Sequence, residues 1–214
     1  MNQRLEQTFQ TAPTPTIAPV PPRRKRNDAV RQREHLTECE VEALLKAARS
    51  NAARRYGHRD ATMILLAFRH ALRVSELVNL RWSDADLKAA LLNVRRLKGS
   101  VSGIHPLEGD EVRNLRKLRI ADPHNEFMFT TERGGPMSAA GFRKMLARLA
   151  ASAGMSALKV HPHALRLRHA TGFVLVNRGV DTRTLQAYMG HAQIANTVRY
   201  TALDATRFKS LWRK

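Results

Sequence analysis

The stretch "HPHALRLRHATG", residues 161–172, carries three histidines and two arginines and repeats the pair Leu-Arg without a break. From it onward Leu167, Ala170, Phe173 and Val174 recur at helical spacing, so the segment reads as a helix with one apolar stripe. His163 and Arg166 stand three apart and share a helical face, whereas His163 and Arg168 stand five apart and do not. Two registers therefore compete for one arginine position. At ~100° per residue, two extra residues rotate everything upstream by about 200° relative to everything downstream. The apolar stripe packs many side chains and is expected to hold its register against one histidine, which favours Arg168. The insertion is then absorbed near the helix start, where Pro162 allows a break.

The charge balance narrows the partner. Among 214 residues, 37 Lys and Arg oppose 18 Asp and Glu, a formal charge of +19. The basic residues run through the segments that read as folded, which points to nucleic acid rather than to a membrane surface. Cys39 is the single cysteine, so an intrachain disulfide and a thiolate zinc site are both excluded. No apolar run approaches the ~18 residues of a membrane span, and a soluble, cytoplasmic, nucleoid-associated protein is expected.

Residues 1–34, rich in Pro, Thr and Ala and ending in a basic cluster, read as a flexible arm, and Arg23, Arg24, Lys25 and Arg26 are candidates to lie along phosphates. Order is expected from Thr37, which with Glu40 forms a capping box ahead of Val41, Leu44, Leu45 and Ala48. Residues 60–70 read as a buried helix and Ser75 as the cap of a short one, so Arg73 falls in the elbow between them. From Trp82 to Leu107 short runs broken by Asp, Gly and Ser predict a small antiparallel sheet with Lys98 at a turn. Helices are expected near 108–120 and from Ser138 to about 152, and helical patterns continue to the C-terminus. The fold class is mainly α with a small antiparallel β-meander.

"ALRVSEL" (71–77), "RRLKG" (95–99), "FTTERGGPMS" (129–138), "HPHALRLRHATG" and "MGHAQIANTVRYTA" (189–202) resemble, in order and separation, the successive boxes of the tyrosine recombinase, or phage integrase, catalytic domain. The likeness covers about residues 35–214 and is strongest to the small fimbrial phase-switch recombinases. It implies a site-specific recombinase that cuts and rejoins DNA through a 3′-phosphotyrosyl intermediate, in DNA inversion or in integration and excision. It also implies a homotetramer on double-stranded DNA with paired recognition sites, with accessory DNA-bending proteins as further partners.

The residue types suit that chemistry. A strand broken without hydrolysis needs a protein nucleophile that conserves the phosphodiester energy, and the phenol of Tyr200 is the candidate. Guanidinium forks match the non-bridging oxygens of a phosphorane-like transition state, and Arg73 with Arg166 or Arg168 is the expected pair. Lys98 is placed to protonate the departing 5′-oxygen, because its neighbours Arg95 and Arg96 hardly deprotonate; those two are assigned to DNA contact. By resemblance, His191 hydrogen-bonds the phosphate and His163 assists proton transfer at the tyrosine. Glu76, three residues after Arg73, either orients the site or forms a surface ion pair.

Taken singly, each of these residues reads as a surface cation or a core aromatic, and only the ordered set reverses that reading. Tyr188, among Leu185 and Met189 at helical spacing, reads as core. A metal site on His161, His163 and His169 is disfavoured, since no Cys or carboxylate lies nearby and no pair has the i, i+4 spacing. There is no phosphate-binding GxxxxGK[ST] loop, and strand exchange through phosphotyrosine calls for no nucleotide, metal or other cofactor. The family box has one arginine where this chain has two. If His163 cannot reach the site, Leu165 occupies the histidine position, and a catalytically impaired DNA-binding relative becomes the rival reading. A type IB topoisomerase would use similar chemistry.

Overall fold

A computed structural model describes residues 35–50, 56–97, 99–155 and 165–200, all within the compact unit Glu34–Lys214. Arg23, Arg24, Lys25, Arg26, Lys98 and His163 lie outside the described residues, as does the side chain of Arg166.

Helix α1 spans Glu38–Ser50 and opens on the expected capping box: the Thr37 N–H donates to Glu40 (2.8 Å) and the Glu40 N–H to Thr37 Oγ1 (3.2 Å). Helix α2, Gly57–Arg69, is apolar nearly all round because it packs against α1, against α4 (Gly109–Ala121) and against α6 (Leu165–Asn177). Its residues Met63, Ile64 and Leu66 are fully buried, each contributing about 1.5–3 kcal/mol in transfer free energy. Helix α3 is the short Val74–Val78, and its cap differs from expectation. Arg73 occupies the cap position and its N–H donates to Glu76 Oε2 (2.9 Å), while Ser75 lies inside the first turn.

The meander forms as read. Strands β1 (Ala85–Asp86), β2 (Leu91–Val94) and β3 (Gly103–Pro106) make an antiparallel sheet in the order β1-β2-β3, with Leu92 opposite His105. Leu92 and Val94 point into the core and Leu91 and Asn93 outward, as the pleat requires. Helix α5, Ala139–Ser152, is capped by Ser138 Oγ, which accepts from the Gly141 N–H, and packs on α1 and α3. Helix α7 (Thr182–Met189), capped by Asp181, packs on α6 and β3 and leads into α8 (Ala195–Val198). No helix among the described residues is long and apolar enough to cross a membrane.

Candidate active site

Four of the residues singled out from sequence converge where the α2–α3 elbow, the β2–β3 turn, α6 and the α7–α8 segment meet. The elbow is sharp: Ala71 adopts φ +50° and is fully buried, a conformation that costs a non-glycine residue roughly 1 kcal/mol. It turns Arg73 toward the sheet, where Nη1 donates to Glu76 Oε1 (2.6 Å) and to the Leu97 carbonyl (3.1 Å), and Nη2 donates to Ser100 Oγ (2.7 Å). Arg73 is thus tied to both sides of the turn that carries Lys98.

Glu76 is no surface ion pair. It is 5% exposed and also accepts from the Leu97 N–H (3.1 Å) and from Arg96 (3.1 Å). Burial alone would raise its pKa, but the hydrogen bonds from Arg73 and Leu97 and the charge of Arg96 hold it below the usual carboxylate range.

Arg96 corrects the sequence reading. Expected on DNA, it is buried, and its guanidinium donates to the carbonyls of Ala71 (2.8 Å), His70 (3.0 Å) and Tyr188 (2.9 Å) besides Glu76. It faces inward because alternation along β2 continues past the strand end: Arg95 is exposed and ion-paired to Asp84, and Arg96 takes the core side. There it joins the elbow to the end of α7. Arg96→Met is expected to cost about 3 kcal/mol in urea unfolding, because Glu76 and three carbonyls lose their shared donor. A loss within about 0.5 kcal/mol would show that the joint holds without it.

Helix α7 ends at Gly190, at φ +63°, whose carbonyl accepts from the Val101 N–H (3.0 Å). His191 follows, with Nδ1 2.9 Å from Thr197 Oγ1. Tyr200 lies just beyond α8, only 3% exposed, packed with Ala71, Val176, Leu185 and Met189. Its ring meets Phe173 edge-on at 5.3 Å and stacks over His191 at 6.1 Å. A Cβ on Gly172 would sit 2.8 Å from that ring, so the glycine makes the room in which the tyrosine lies. Burial raises the Tyr200 pKa, and the nearby charges of Arg168, Arg199 and Arg73 oppose that rise.

Arg168 is 3% exposed. Its Nη2 donates to the Met189 carbonyl (2.6 Å), whereas its buried Nη1 has no hydrogen-bond partner among the described residues. Burial and the neighbouring charges of Arg73 and Arg96 lower its pKa to about 10. A buried guanidinium nitrogen left open beside a second arginine is a place built for an anion. Tyr188, read as core, is half-buried, with its hydroxyl donating to the Arg69 carbonyl (2.7 Å). Arg73, Arg168, His191 and Tyr200 are therefore brought together, with Glu76 behind them. The sequence reading missed His169: the Tyr200 hydroxyl lies 2.9 Å from its Nδ1. A signal was present, since His169, Gly172 and Phe173 stand at i, i+3 and i+4 and share the face on which the tyrosine rests.

Residues 34–207 match the phage integrase family. The chain belongs to the phage integrase family. As a member it is a site-specific DNA recombinase of the tyrosine class, and its fold is that of the catalytic domain. This family member is 42% identical over 189 residues to the type 1 fimbriae regulatory protein FimB of Escherichia coli strain K12, covering 85% of this chain and 90% of FimB. It is 40% identical over 193 residues to FimE of the same strain, covering 86% and 92%. The crystal structure of the XerA recombinase superposes with a TM-score of 0.68 at 30% identity, over 83% of this chain and 63% of that one. The family member thus spans somewhat less than two thirds of the solved XerA chain.

Proposed function

We propose that the protein cleaves one strand of double-stranded DNA at a time, with Tyr200 as nucleophile, and reseals it to a new partner strand. The observation that carries this reading is the open Nη1 of Arg168, buried beside Arg73, His191 and Tyr200. A phosphodiester placed there supplies the missing acceptor and the missing negative charge together. Arg73 and Arg168 take the non-bridging oxygens, and the charge that develops in the transition state is met by donors already in place. His191, oriented by Thr197, donates its remaining ring N–H to the same group. Arg73 holds Leu97 and Ser100, and Lys98, between them in sequence, is the residue assigned to give the 5′-oxygen its proton.

The doubled Leu-Arg leaves this arrangement usable, because the part of α6 from Leu167 onward keeps its packing: Leu167 and Ala170 are buried and Arg168 sits on the site side. Arg166 is the spare arginine in this reading. With the charge of +19, the exposed Arg95 and the basic residues 23–26 add phosphate contacts around the site. The active assembly is a homotetramer on paired sites, with DNA-bending proteins as helpers, acting in the cytoplasm on an invertible or mobile DNA segment such as a fimbrial switch.

The test uses nicked duplexes drawn from a random-sequence pool, in which the cleaved fragment escapes and the covalent complex accumulates. Wild-type protein is expected to capture a subset of sequences, with the 3′-phosphate mapped to Tyr200 by peptide mass, and Tyr200→Phe to capture none. Tight DNA binding by the wild type without any adduct overturns the enzymatic reading in favour of a DNA-binding relative.

A further inference from the structure

We propose that His169 accepts the phenolic proton of Tyr200 when the tyrosine attacks the phosphodiester, and returns it when the strand is resealed. The inference rests on Tyr200 being the nucleophile, and it moves to His169 the proton-transfer role that the sequence reading gave to His163.

Geometry comes first. The Tyr200 hydroxyl stands 2.9 Å from His169 Nδ1, a hydrogen-bond distance for direct transfer, and the rings lie 5.6 Å apart at 47°. The contact is held from several sides: α6 fixes the His169 backbone one residue after buried Arg168, Gly172 makes room for the phenol, and Phe173 braces its edge. Phe173 is itself stacked on His35 at 3.8 Å. An imidazole placed this way takes the proton on Nδ1 if Nε2 carries the hydrogen of the neutral ring.

The surroundings keep the ring neutral. Burial, then the charges of Arg199 and Arg168 and the facing rings of His35 and His191, lower the His169 pKa to about 4. In free protein near neutral pH it is therefore an open acceptor, though a weak base. A bound phosphate places a negative charge against Arg168 and offsets part of that positive field, so the basicity of His169 rises at the moment the phosphate is seated. Substrate binding and base activation are coupled through one guanidinium.

The step balances. The Oη–H bond of Tyr200 breaks and Nδ1–H forms on His169, Oη–P forms, and P–O5′ breaks with a proton supplied to the departing oxygen by Lys98. On resealing, the 5′-hydroxyl attacks phosphorus and gives its proton back to Lys98, the phosphotyrosyl bond breaks, and Tyr200 Oη takes its proton back from His169.

The test measures single-turnover cleavage of a nicked duplex selected with the wild-type protein, against pH, for wild type, His169→Asn and His169→Gln. Asn and Gln each keep a hydrogen-bond acceptor near one ring nitrogen but cannot take a proton. Wild type is expected to lose rate as pH falls and the acceptor becomes protonated. Both variants are expected to bind DNA normally, to cleave roughly 10²–10⁴-fold more slowly, and to lack that acid limb. A substrate with a 5′-bridging sulfur, whose leaving group needs no proton, should not restore them, because the defect lies on the tyrosine side. Cleavage by His169→Asn at the wild-type rate, an acid limb that survives in both variants, or rescue by the 5′-sulfur would each overturn the proposal. If a variant does not fold, absence of any acid limb in wild-type cleavage of the 5′-sulfur substrate overturns it equally. A Tyr200→Phe protein that still forms adduct would instead sink the underlying choice of nucleophile.

Discussion

Arg168→Ala is expected to abolish covalent capture of nicked DNA, with cleavage falling at least about 10²–10³-fold, while Arg166→Ala retains measurable cleavage. The argument is electrostatic. Arg168 is buried, and its pKa is lowered to about 10 by desolvation and by Arg73 and Arg96, so its charge is held at a cost in the free protein. One of its two terminal nitrogens is used on the Met189 carbonyl and the other is open. Removing the side chain relieves repulsion with Arg73 and Arg96 and loses one hydrogen bond. The melting temperature is therefore expected to change little or to rise while activity disappears. Such a split between stability and rate marks a residue kept for its substrate. Full cleavage by Arg168→Ala with none by Arg166→Ala would reverse the register of α6 argued from its packing.

Gly190→Ala is expected to lower stability by about 3 kcal/mol and to remove cleavage with it. The residue sits at φ +63°, which a side chain disfavours, and an added Cβ would stand 2.3 Å from the Val101 carbonyl oxygen and 3.0 Å from Arg96 Cγ. The first obstacle is backbone, so the end of α7 must move away from the β2–β3 turn. That movement breaks the Val101–Gly190 hydrogen bond and the bond from Arg96 to the Tyr188 carbonyl, and it shifts His191, the next residue. Urea denaturation reads the first effect and adduct formation the second. A variant with wild-type midpoint and wild-type adduct would show that the turn and α7 are not coupled.

Much of this arrangement was legible before folding. The Thr37–Glu40 cap, the apolar run of α2, the short broken runs of the meander and the helix from Ser138 are local signals, since each depends on residues close together in the chain. The family boxes likewise marked Arg73, His191 and Tyr200, and the packing argument favoured Arg168. Position along the chain did not reveal depth. Arg96 and Arg95 are adjacent cations with the same chemistry, and only the sheet's alternation against the elbow and α7 buries one and exposes the other. Glu76 could be read as a surface ion pair until the turn closed over it and Leu97 and Arg96 supplied its further donors.

The division has a physical cause. Sequence by itself determined the charge, the order of the helices and the meander, and the kind of chemistry the side chains can perform, because these follow from composition and short-range periodicity. Tertiary structure alone decided which nitrogen of Arg168 is left open and which histidine meets the phenol. Those contacts join residues 21 and 31 positions apart in sequence, and no local pattern sets a distance of 2.6 or 2.9 Å across such separations.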